Sequence, residues 1–331
     1  MLSKRWRQIT IFLCIFVCII TCGYGTVYAQ DSKVFIGGEI VGFDVKLNGA
    51  LVVGKYKVST AVGEKTSNCS LVGGDLIVAA EGEMVSCSDD LAAVLKKCKG
   101  DSVKVAYSRN GEIKTEEIPF LIESVSNEKK LGLSVKDCIT GLGTVTCMDS
   151  KGNFVALGHE IIDCDTGYLV ASSSGKITKT RINGIKKGVK GKTGSIQGQL
   201  LAKNDGIITS CSSVGIKGVI LACKNEEKFD LGNKNELVPG DAKICSSISG
   251  EKEYYDIKII KKEVVSNKIN KNFLFKVCDN RLLNLTGGVV QGMSGSPIIQ
   301  NGKLVGAVTH VFVNDPTVGY GVYIENMLLN K

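Results

Sequence analysis

One short run near the carboxyl end of the chain places a serine where it could act as a nucleophile. Ser294 stands in Gly292-Met293-Ser294-Gly295-Ser296-Pro297. A serine hydroxyl reacts only when a base removes its proton and preset donors receive the oxyanion that forms. The glycines permit a tight turn in which the backbone amides of Gly292 and Ser294 point into one cavity. An ordinary hairpin could use the same turn, so the run predicts a nucleophile and an oxyanion hole only if a base accompanies it.

The chain offers two candidates for that base, because His159 and His310 are its only histidines. The serine turn resembles the GxSGxP signature of chymotrypsin-like peptidases, which carry the histidine on one barrel and the serine on the next. That order requires a histidine far upstream of the serine, and His159 meets it. His310 follows the serine and could simply be a polar residue at a strand end. We therefore expect His159 to be the general base.

The elements that would position these side chains are mostly short strands. Glycine is abundant at 39 residues, proline is scarce at 4, and β-rich runs recur between turn signals along the chain. A length of 331 residues with 44% hydrophobic content is enough for two domains, and 22% charge argues against disorder. The sequence thus predicts a mainly β protein. The resemblance of the serine turn places a chymotrypsin/trypsin-like double β-barrel peptidase domain over residues 136–331.

The region upstream has a different order of elements. A helix is expected at residues 88–99, with Ser88 as its cap, acidic residues at its start and lysines at its end. It follows a glycine-aspartate turn and a strand, and two further strands come after it. This order resembles a PDZ domain, an α+β peptide-binding module, over residues 33–120. The polar residues 121–135 then indicate a linker.

A PDZ-like module needs a loop whose amides hold a peptide carboxylate, followed by an edge strand that accepts the peptide. Ile40, Val41, Gly42 and Phe43 are the best candidates for this peptide-binding site. The glycine lets the backbone approach an anion, and the apolar neighbours could line a side-chain pocket. A plain glycine turn into a strand is the alternative. The expected occupant is a C-terminal or internal peptide.

The first residues have the composition of an export signal. Lys4, Arg5 and Arg7 precede an almost unbroken apolar run over residues 9–20, and Ala29 offers a small residue at which a signal peptidase could cut. Residues 1–29 are therefore predicted to be a signal peptide. If they are not cut, residues 9–29 are about long enough to act as a membrane anchor. Either reading places the rest of the chain across the cytoplasmic membrane.

Charge and cysteine content exclude other classes of function. The formal charge of +8 comes from scattered lysines without interleaved aromatic residues, which argues against nucleic-acid binding. The chain has 13 cysteines, yet no pair has the spacing of a metal site or a redox motif. We expect small buried hydrophobic residues rather than disulfides, and neither a metal nor a cofactor.

Several runs together resemble one family, the stage IV sporulation protein B peptidases. These are Gly141-Leu142-Gly143-Thr144-Val145-Thr146, Ala156-Leu157-Gly158-His159, Thr286-Gly287-Gly288-Val289-Val290-Gln291 with the serine turn, and Thr309-His310-Val311-Phe312-Val313-Asn314-Asp315-Pro316. Members combine a PDZ domain with a trypsin-like serine peptidase. The resemblance carries His159 over as base and Ser294 as nucleophile. It points to Asp279 as the acid that orients the base, while Asp163 and Asp165 lie nearer to His159 in sequence.

The resemblance also implies a biological role. It predicts a serine endopeptidase of sporulation signalling in the space between forespore and mother cell. Such an enzyme cleaves itself and an envelope or membrane regulatory protein, which activates an intramembrane protease and sigma-factor processing. A catalytically weak PDZ-containing binding or scaffold protein is the alternative. One departure from the family is Glu160, because a carboxylate beside the base could raise its pKa or compete for the place of the aspartate.

Overall fold

The computed structural model describes residues 33–172, 174–220, 228–264 and 269–329, hereafter the described segments. Most of these residues lie in strands, so the prediction of a mainly β protein is confirmed. The export signal or anchor predicted at residues 1–29 lies outside the described segments. No helix within them combines the length and the apolar character needed to cross a membrane.

The chain forms three helices and a long series of strands within these segments. The helices are α1 (Ser88–Lys97), α2 (Asn280–Thr286) and α3 (Ile324–Leu329). The strands are β1 (Lys33–Ile36), β2 (Ile40–Lys55), β3 (Lys57–Thr60), β4 (Gly63–Thr66), β5 (Leu76–Ala80), β6 (Glu83–Met84), β7 (Ser102–Arg109), β8 (Glu112–Pro119), β9 (Leu121–Ile122), β10 (Lys129–Lys130), β11 (Leu133–Met148), β12 (Asn153–Leu157), β13 (Gly175–Lys186), β14 (Ser195–Ser212), β15 (Gly215–Ile220), β16 (Lys228–Leu231), β17 (Gly240–Ser246), β18 (Glu253–Lys262), β19 (Phe273–Val277), β20 (Pro297–Gln300), β21 (Lys303–Phe312) and β22 (Asp315–Tyr323).

A first group of antiparallel strands closes on itself into a barrel. The order is β2, β11, β12, β15, β14, β13 and back to β2. Its interior is filled by buried side chains such as Val45, Phe154, Ile177 and Ile216. Closure leaves no free edge in the ring, which is how small barrels avoid exposed strand edges.

A second group closes in the same way. The order is β17, β18, β19, β22, β21, β20 and back to β17, again antiparallel throughout. Phe273 and Phe275 have no exposed surface and pack with Ile244, Ile257 and Ile298. Burial of a side chain of this size contributes about 1.5–3 kcal/mol. The double barrel expected from the serine turn is therefore present.

A helix-bearing lobe is inserted into the first barrel rather than preceding it. The second half of β2 and the first half of β11 leave the barrel together and pair with each other, and β2 also pairs with β5 there. Strands β5, β7 and β8 and helix α1 complete the lobe around its own core, which includes Ile77, Leu91 and Val103. The boundaries expected at 33–120 and 121–135 therefore differ from the observed ones. Strand β1 and the first half of β2 belong to the peptidase sheet, and β11 already begins at Leu133.

Helix α1 ends close to the predicted position but begins differently. Its N-cap is Cys87, which makes no side-chain capping bond, and Ser88 is the first helical residue. The Ser88 hydroxyl instead donates to Oδ2 of Asp137 at 2.7 Å. The serine thus fastens α1 to strand β11 rather than capping its own helix.

The cysteines of the described segments carry free thiols. Cys147 and Cys245 are buried, as the sequence predicted, and burial raises the pKa of Cys147 to about 12. Cys138, Cys164 and Cys278 are exposed instead. The expectation of a small buried hydrophobic residue thus holds for some of these positions.

Candidate active site

The nucleophile turn is held between the two barrels by glycines that have no room for a side chain. Gly292 has a φ of +101° and Gly295 a φ of +93°. A Cβ on Gly292 would lie 2.8 Å from Cδ1 of Ile196, and one on Gly295 would lie 2.1 Å from the carbonyl oxygen of Thr144. Both positions combine a left-handed backbone with close contacts, so only glycine fits.

Strand β11 of the first barrel fixes this turn through hydrogen bonds. The hydroxyl of Thr144 donates to the carbonyl of Gly292 at 2.9 Å, and the hydroxyl of Thr146 donates to the carbonyl of Gly295 at 2.7 Å. The amide of Thr144 donates to the carbonyl of Ser294 at 2.8 Å. The carbonyls of the turn are therefore directed toward β11.

The amides of the same turn point elsewhere. Within the described segments, neither the amide of Gly292 nor that of Ser294 donates a hydrogen bond. Buried backbone donors are almost always paired, so two free donors in one turn are unusual. They are the two donors that the sequence predicted for an oxyanion hole.

The predicted base follows a strained end of strand β12. Leu157 has a φ of +72° and Gly158 a φ of +75°, and the amide of Gly158 donates to the carbonyl of Ala156 at 3.0 Å. This is a tight three-residue turn, which costs about 1–3 kcal/mol for a non-glycine residue and is typical of functional sites. It directs His159 out of the strand.

The hydrogen bond of His159 determines its tautomer. Nδ1 lies 2.7 Å from the backbone carbonyl oxygen of Glu160. A carbonyl oxygen can only accept, so Nδ1 carries the proton and Nε2 carries the lone pair. Nε2 has no hydrogen-bond partner among the residues of the described segments. This is the tautomer that a general base requires.

His159 and Ser294 line one cavity of about 350 Å³ between the barrels. The ring of His310 lies beside that of His159, with 5.1 Å between the centroids. The Ser294 hydroxyl donates to the backbone carbonyl of Thr309 at 3.0 Å. The structure thus brings the predicted nucleophile and the predicted base to one cavity, in which the Ser294 hydroxyl is hydrogen-bonded to a backbone carbonyl.

Burial of the imidazole lowers the pKa of His159 below its usual value. Lys271 acts in the same direction, while the hydrogen bond to Glu160 and the charge of Glu160 oppose it. A lowered pKa keeps the ring neutral near pH 7, the state in which it can accept a proton.

Asp279, the expected orienting acid, lies in a different arrangement. It is the N-cap of helix α2, and its Oδ1 accepts from the amide of Arg281 at 2.8 Å. Oδ2 accepts from the Arg281 guanidinium at 2.8 Å and from the amide of Asp256 at 3.2 Å. The hydrogen bonds from Arg281 hold the pKa of Asp279 at about 2. The structure therefore does not join Asp279 to His159, because the carboxylate caps a helix and pairs with an arginine.

The two alternative aspartates are also engaged. The ammonium group of Lys136 bonds the carboxylates of both Asp163 and Asp165, and Asp163 further accepts from the hydroxyl of Thr166 at 2.7 Å. Cys164 lies between these aspartates, so three groups that could bind a metal lie close together. Lys136 already supplies the positive charge at this cluster.

The predicted peptide-binding residues are in the wrong surroundings for that role. Ile40, Val41, Gly42 and Phe43 lie in strand β2. Strand β11 pairs with all four, and β13 pairs along the other edge from Val41 onward, while the amide of Ile40 donates to the hydroxyl of Ser247. A strand with both edges paired cannot accept a peptide strand. Gly42 leaves room for Leu200, which would lie 2.3 Å from a Cβ at this position. Phe43 lines the cavity of Ser294 instead.

A groove that the sequence reasoning missed runs between helix α1 and the start of β11. Its volume is about 440 Å³, and its lining combines apolar and charged residues, among them Leu91, Leu95, Leu131, Leu133, Val135, Lys96, Lys129, Lys130 and Glu128. Gly132 has a φ of +66°, and the amides of Leu131 and Gly132 donate no hydrogen bond in the part of the chain that the structure describes. The signal available in the sequence was Lys-Lys-Leu-Gly-Leu directly before a strand.

Comparison with known proteins gives one family. The family model described as SpoIVB peptidase S55 matches residues 127–328, more than half of the chain. A search of curated proteins finds no match.

Several solved structures are similar to this chain at low sequence identity. The HtrA-type protease AlgW with a decapeptide is 12% identical over 59% of this chain and 52% of that chain, with a TM-score of 0.36. A variant of AlgW with a decapeptide is 11% identical over 88% of this chain and 61% of that chain, with a TM-score of 0.36. An inactive form of Rv3671c from M. tuberculosis H37Rv is 11% identical over 57% of this chain and 78% of that chain, with a TM-score of 0.31.

The present chain spans between 52% and 61% of those two AlgW chains. The family match, in contrast, covers most of the double barrel and includes both His159 and Ser294. The chain therefore belongs to the SpoIVB peptidase S55 family of serine peptidases.

Proposed function

We propose that this protein is a serine endopeptidase in which Ser294 is the nucleophile and His159 the general base. One observation carries the proposal. Both side chains line a single cavity, and the two amides expected to form the oxyanion hole have no partner within the described segments. Free donors fixed by a rigid turn stabilise a developing oxyanion without having to reorganise.

The proposed reaction has two stages, formation of an acyl enzyme with cleavage of the peptide C–N bond and then hydrolysis of that acyl enzyme. Oγ of Ser294 bonds to the carbonyl carbon of the substrate while Nε2 of His159 takes its proton, and the imidazolium then gives that proton to the leaving amine. A water molecule repeats the sequence on the acyl enzyme and releases the second product. The serine hydroxyl must first leave the carbonyl of Thr309 and turn toward the imidazole. Catalytic hydrogen bonds often form only in the substrate complex.

The cavity suits an apolar side chain next to the bond that is cut. Phe43, Leu142, Val290 and Val311 contribute to its lining. Such a lining binds by burial of apolar surface, while a few polar groups fix the orientation of the ligand.

The groove between α1 and β11 supports a second element of the proposal, a PDZ-like site for a peptide C-terminus. The free amides of Leu131, which lines the groove, and of the adjacent Gly132 can donate to a carboxylate. Lys96 and Lys129 favour its negative charge, while Lys130 already pairs with Glu128 of the same lining. Leu91, Leu95 and Leu133 provide the apolar contact for the last side chain of the peptide. This groove replaces the site expected at residues 40–43.

We further propose a role in sporulation signalling outside the cytoplasmic membrane, between forespore and mother cell. The peptidase would cleave itself and an envelope or membrane regulatory protein, and so activate an intramembrane protease and sigma-factor processing. The family match and the export-type composition of residues 1–29 support this assignment.

One observation favours the alternative, a catalytically weak binding or scaffold protein. Asp279 holds Arg281 and helix α2 rather than the base. If an orienting aspartate were indispensable, the peptidase fold would serve mainly to present the peptide groove.

Incubation of the full chain distinguishes the two functions. The wild type is expected to release fragments of itself, and Ser294→Ala is expected to remain intact. Ser126→Ala is the control, since this exposed serine does not line the cavity. If the wild type and Ser294→Ala both remain unfragmented, and the wild type does not cleave added envelope proteins, the proposed peptidase function is contradicted.

A further inference from the structure

A buried asparagine lies behind the base. Asn270 is only 4% exposed. Its Nδ2 donates to Oε2 of Glu160 at 2.5 Å and to the backbone carbonyl of Ser213 at 3.0 Å. Both partners are acceptors, so the two protons of a side-chain amide are required here, and neither leucine nor aspartate could replace them.

The same residue is linked to the nucleophile. The hydroxyl of Thr309 donates to the backbone carbonyl of Asn270 at 2.9 Å. The backbone carbonyl of Thr309 in turn accepts the proton of Ser294 at 3.0 Å. Asn270 thus contacts the residue that holds His159 on one side and the residue that holds Ser294 on the other.

We propose that Asn270 is a positioning residue for the catalytic base, which it acts on through Glu160. Asn270 fixes the side chain of Glu160, and the backbone carbonyl of Glu160 holds the proton on Nδ1 of His159. In this arrangement Glu160 and Asn270 together perform the role expected of Asp279. The inference rests on the proposed pairing of His159 with Ser294.

The electrostatics of the site agree with this assignment. The charge of Glu160 favours the imidazolium, while burial and Lys271 disfavour it, and the ring of His310 is the other titratable group beside His159. When the base takes the serine proton, a positive charge appears beside Glu160. A carboxylate held in place by Asn270 stabilises that charge at the moment it forms.

Reactivity of the serine provides the first test. A fluorophosphonate probe labels an activated serine with loss of fluoride, so its second-order rate constant reports Ser294 without a known substrate. Asn270→Ala and Glu160→Gln are expected to lower this rate by about 10-fold or more. Asn272→Ala is the matched control. Asn272 lies in the same segment and bonds Tyr323 and Asn326 away from the cavity, so its rate should stay within about 2-fold of the wild type.

Titration of the base provides the second test, which does not depend on activity. The chain has only two histidines, so proton NMR of the full chain carrying Ser294→Ala shows two ring signals, and His310→Gln identifies that of His310. Asn270→Asp adds a negative charge beside Glu160, and the titration midpoint of His159 is expected to rise by about half a unit or more. Glu160→Gln removes a charge and is expected to lower it.

The labelling and titration experiments distinguish failure of the proposed peptidase function from failure of the positioning role of Asn270. If the wild type is not labelled at Ser294, the proposed function fails, while the histidine titrations still test the contact between Asn270 and the base. Unchanged midpoints in folded Asn270→Asp and Glu160→Gln would overturn the positioning role. If the Asn270 variants do not fold, the midpoint of His159 in Glu160→Gln decides alone, and an unchanged value overturns the proposal.

Discussion

The hydroxyl of Ser294 donates to the backbone carbonyl of Thr309 at 3.0 Å, and Thr309 directly precedes His310 on strand β21. Strand β21 therefore holds the predicted nucleophile in a resting position and also carries the ring of His310, which lies beside that of His159. The predicted nucleophile and oxyanion donors share the turn before β20, whereas the predicted base follows β12 of the other barrel. Substitutions at the hydrogen bonds between these elements should therefore be the most informative.

The first prediction concerns Asp279. Because its carboxylate caps α2 and pairs with Arg281, Asp279→Ala is expected to lower the free energy of unfolding by about 0.5–2 kcal/mol. The labelling rate of Ser294 by a fluorophosphonate should change by less than about 3-fold, whereas His159→Gln should lower it by about 100-fold or more. Urea unfolding and labelling kinetics measure the two effects. An equal loss of labelling in both variants would restore Asp279 as the orienting acid.

The pH dependence of stability gives a second prediction for the same residue. The pKa of Asp279 is about 2 in the folded protein, below its value of about 3.9 in an unfolded chain. A carboxylate whose pKa is lower in the folded than in the unfolded protein stabilises the fold above about pH 4, and this stabilisation is lost as pH falls toward 2 and the group is protonated. Asp279→Asn should therefore be less stable than the wild type at pH 6, and the difference should shrink between pH 4 and pH 2. A constant difference in unfolding free energy over this range would contradict the assignment.

A third prediction concerns the donor that fixes the oxyanion turn. Thr144→Val keeps the shape of a fully buried side chain but leaves the carbonyl of Gly292 without its hydrogen bond. We expect a loss of about 1–3 kcal/mol in stability and a labelling rate about 10-fold lower, because the amide of Gly292 is no longer held in place. Thr140→Val, at an exposed position on the same strand, is the control and should change neither quantity.

A fourth prediction follows from the buried imidazole. Protonation of His159 should abolish labelling, so the labelling rate is expected to fall as pH is lowered. Since the pKa of His159 is lowered, the midpoint of this fall, the acidic limb, should lie below about pH 6.5, the ordinary histidine value. Lys271 contributes to this lowering, so Lys271→Gln should move the limb to higher pH. A pH series of labelling rates measures both, and a limb that lies above pH 6.5 in the wild type would be inconsistent with a buried neutral base.

A fifth prediction tests the groove beside α1. Gly132 has a left-handed backbone, so Gly132→Ala strains the loop whose amides would hold a peptide carboxylate. Binding of a fluorescent peptide with a free C-terminus should weaken about 10-fold, while labelling of Ser294 stays unchanged. Gly111→Ala is the control, since Gly111 has a φ of +85° in an open turn. Equal affinity for the free and amidated forms of the peptide would argue against a carboxylate site.

Much of the site could be predicted because its signals are local. The glycines around Ser294 encode a turn that no other residue fits, and the order of His159 and Ser294 follows from the double barrel. The helix at residues 88–97 could likewise be predicted from the acidic residues at its start and the lysines at its end, although its N-cap is Cys87 and not Ser88. The turn and the helix depend on residues that are close together in sequence, whereas the pairing of His159 with Ser294 follows from the histidine-then-serine order of the peptidases that the turn resembles.

The errors concern partners that are distant in sequence. Gly42 looks like a loop glycine, but β11 and β13 pair on both sides of it, so the strand is internal. Asp279 was carried over by family position, although an aspartate before a short helix is a common N-cap. Asn270 belongs to no pattern, because its importance comes from contacts with Glu160 and Thr309 that only the folded chain creates.

Mass spectrometric mapping of the fluorophosphonate adduct on the full chain tests the central claim most directly. The adduct is predicted on Ser294 in the wild type and in Asp279→Ala, and in His159→Gln it should form about 100-fold more slowly or not at all. An adduct on another residue, or equal labelling of Ser294 with and without His159, would contradict a peptidase built on this pair.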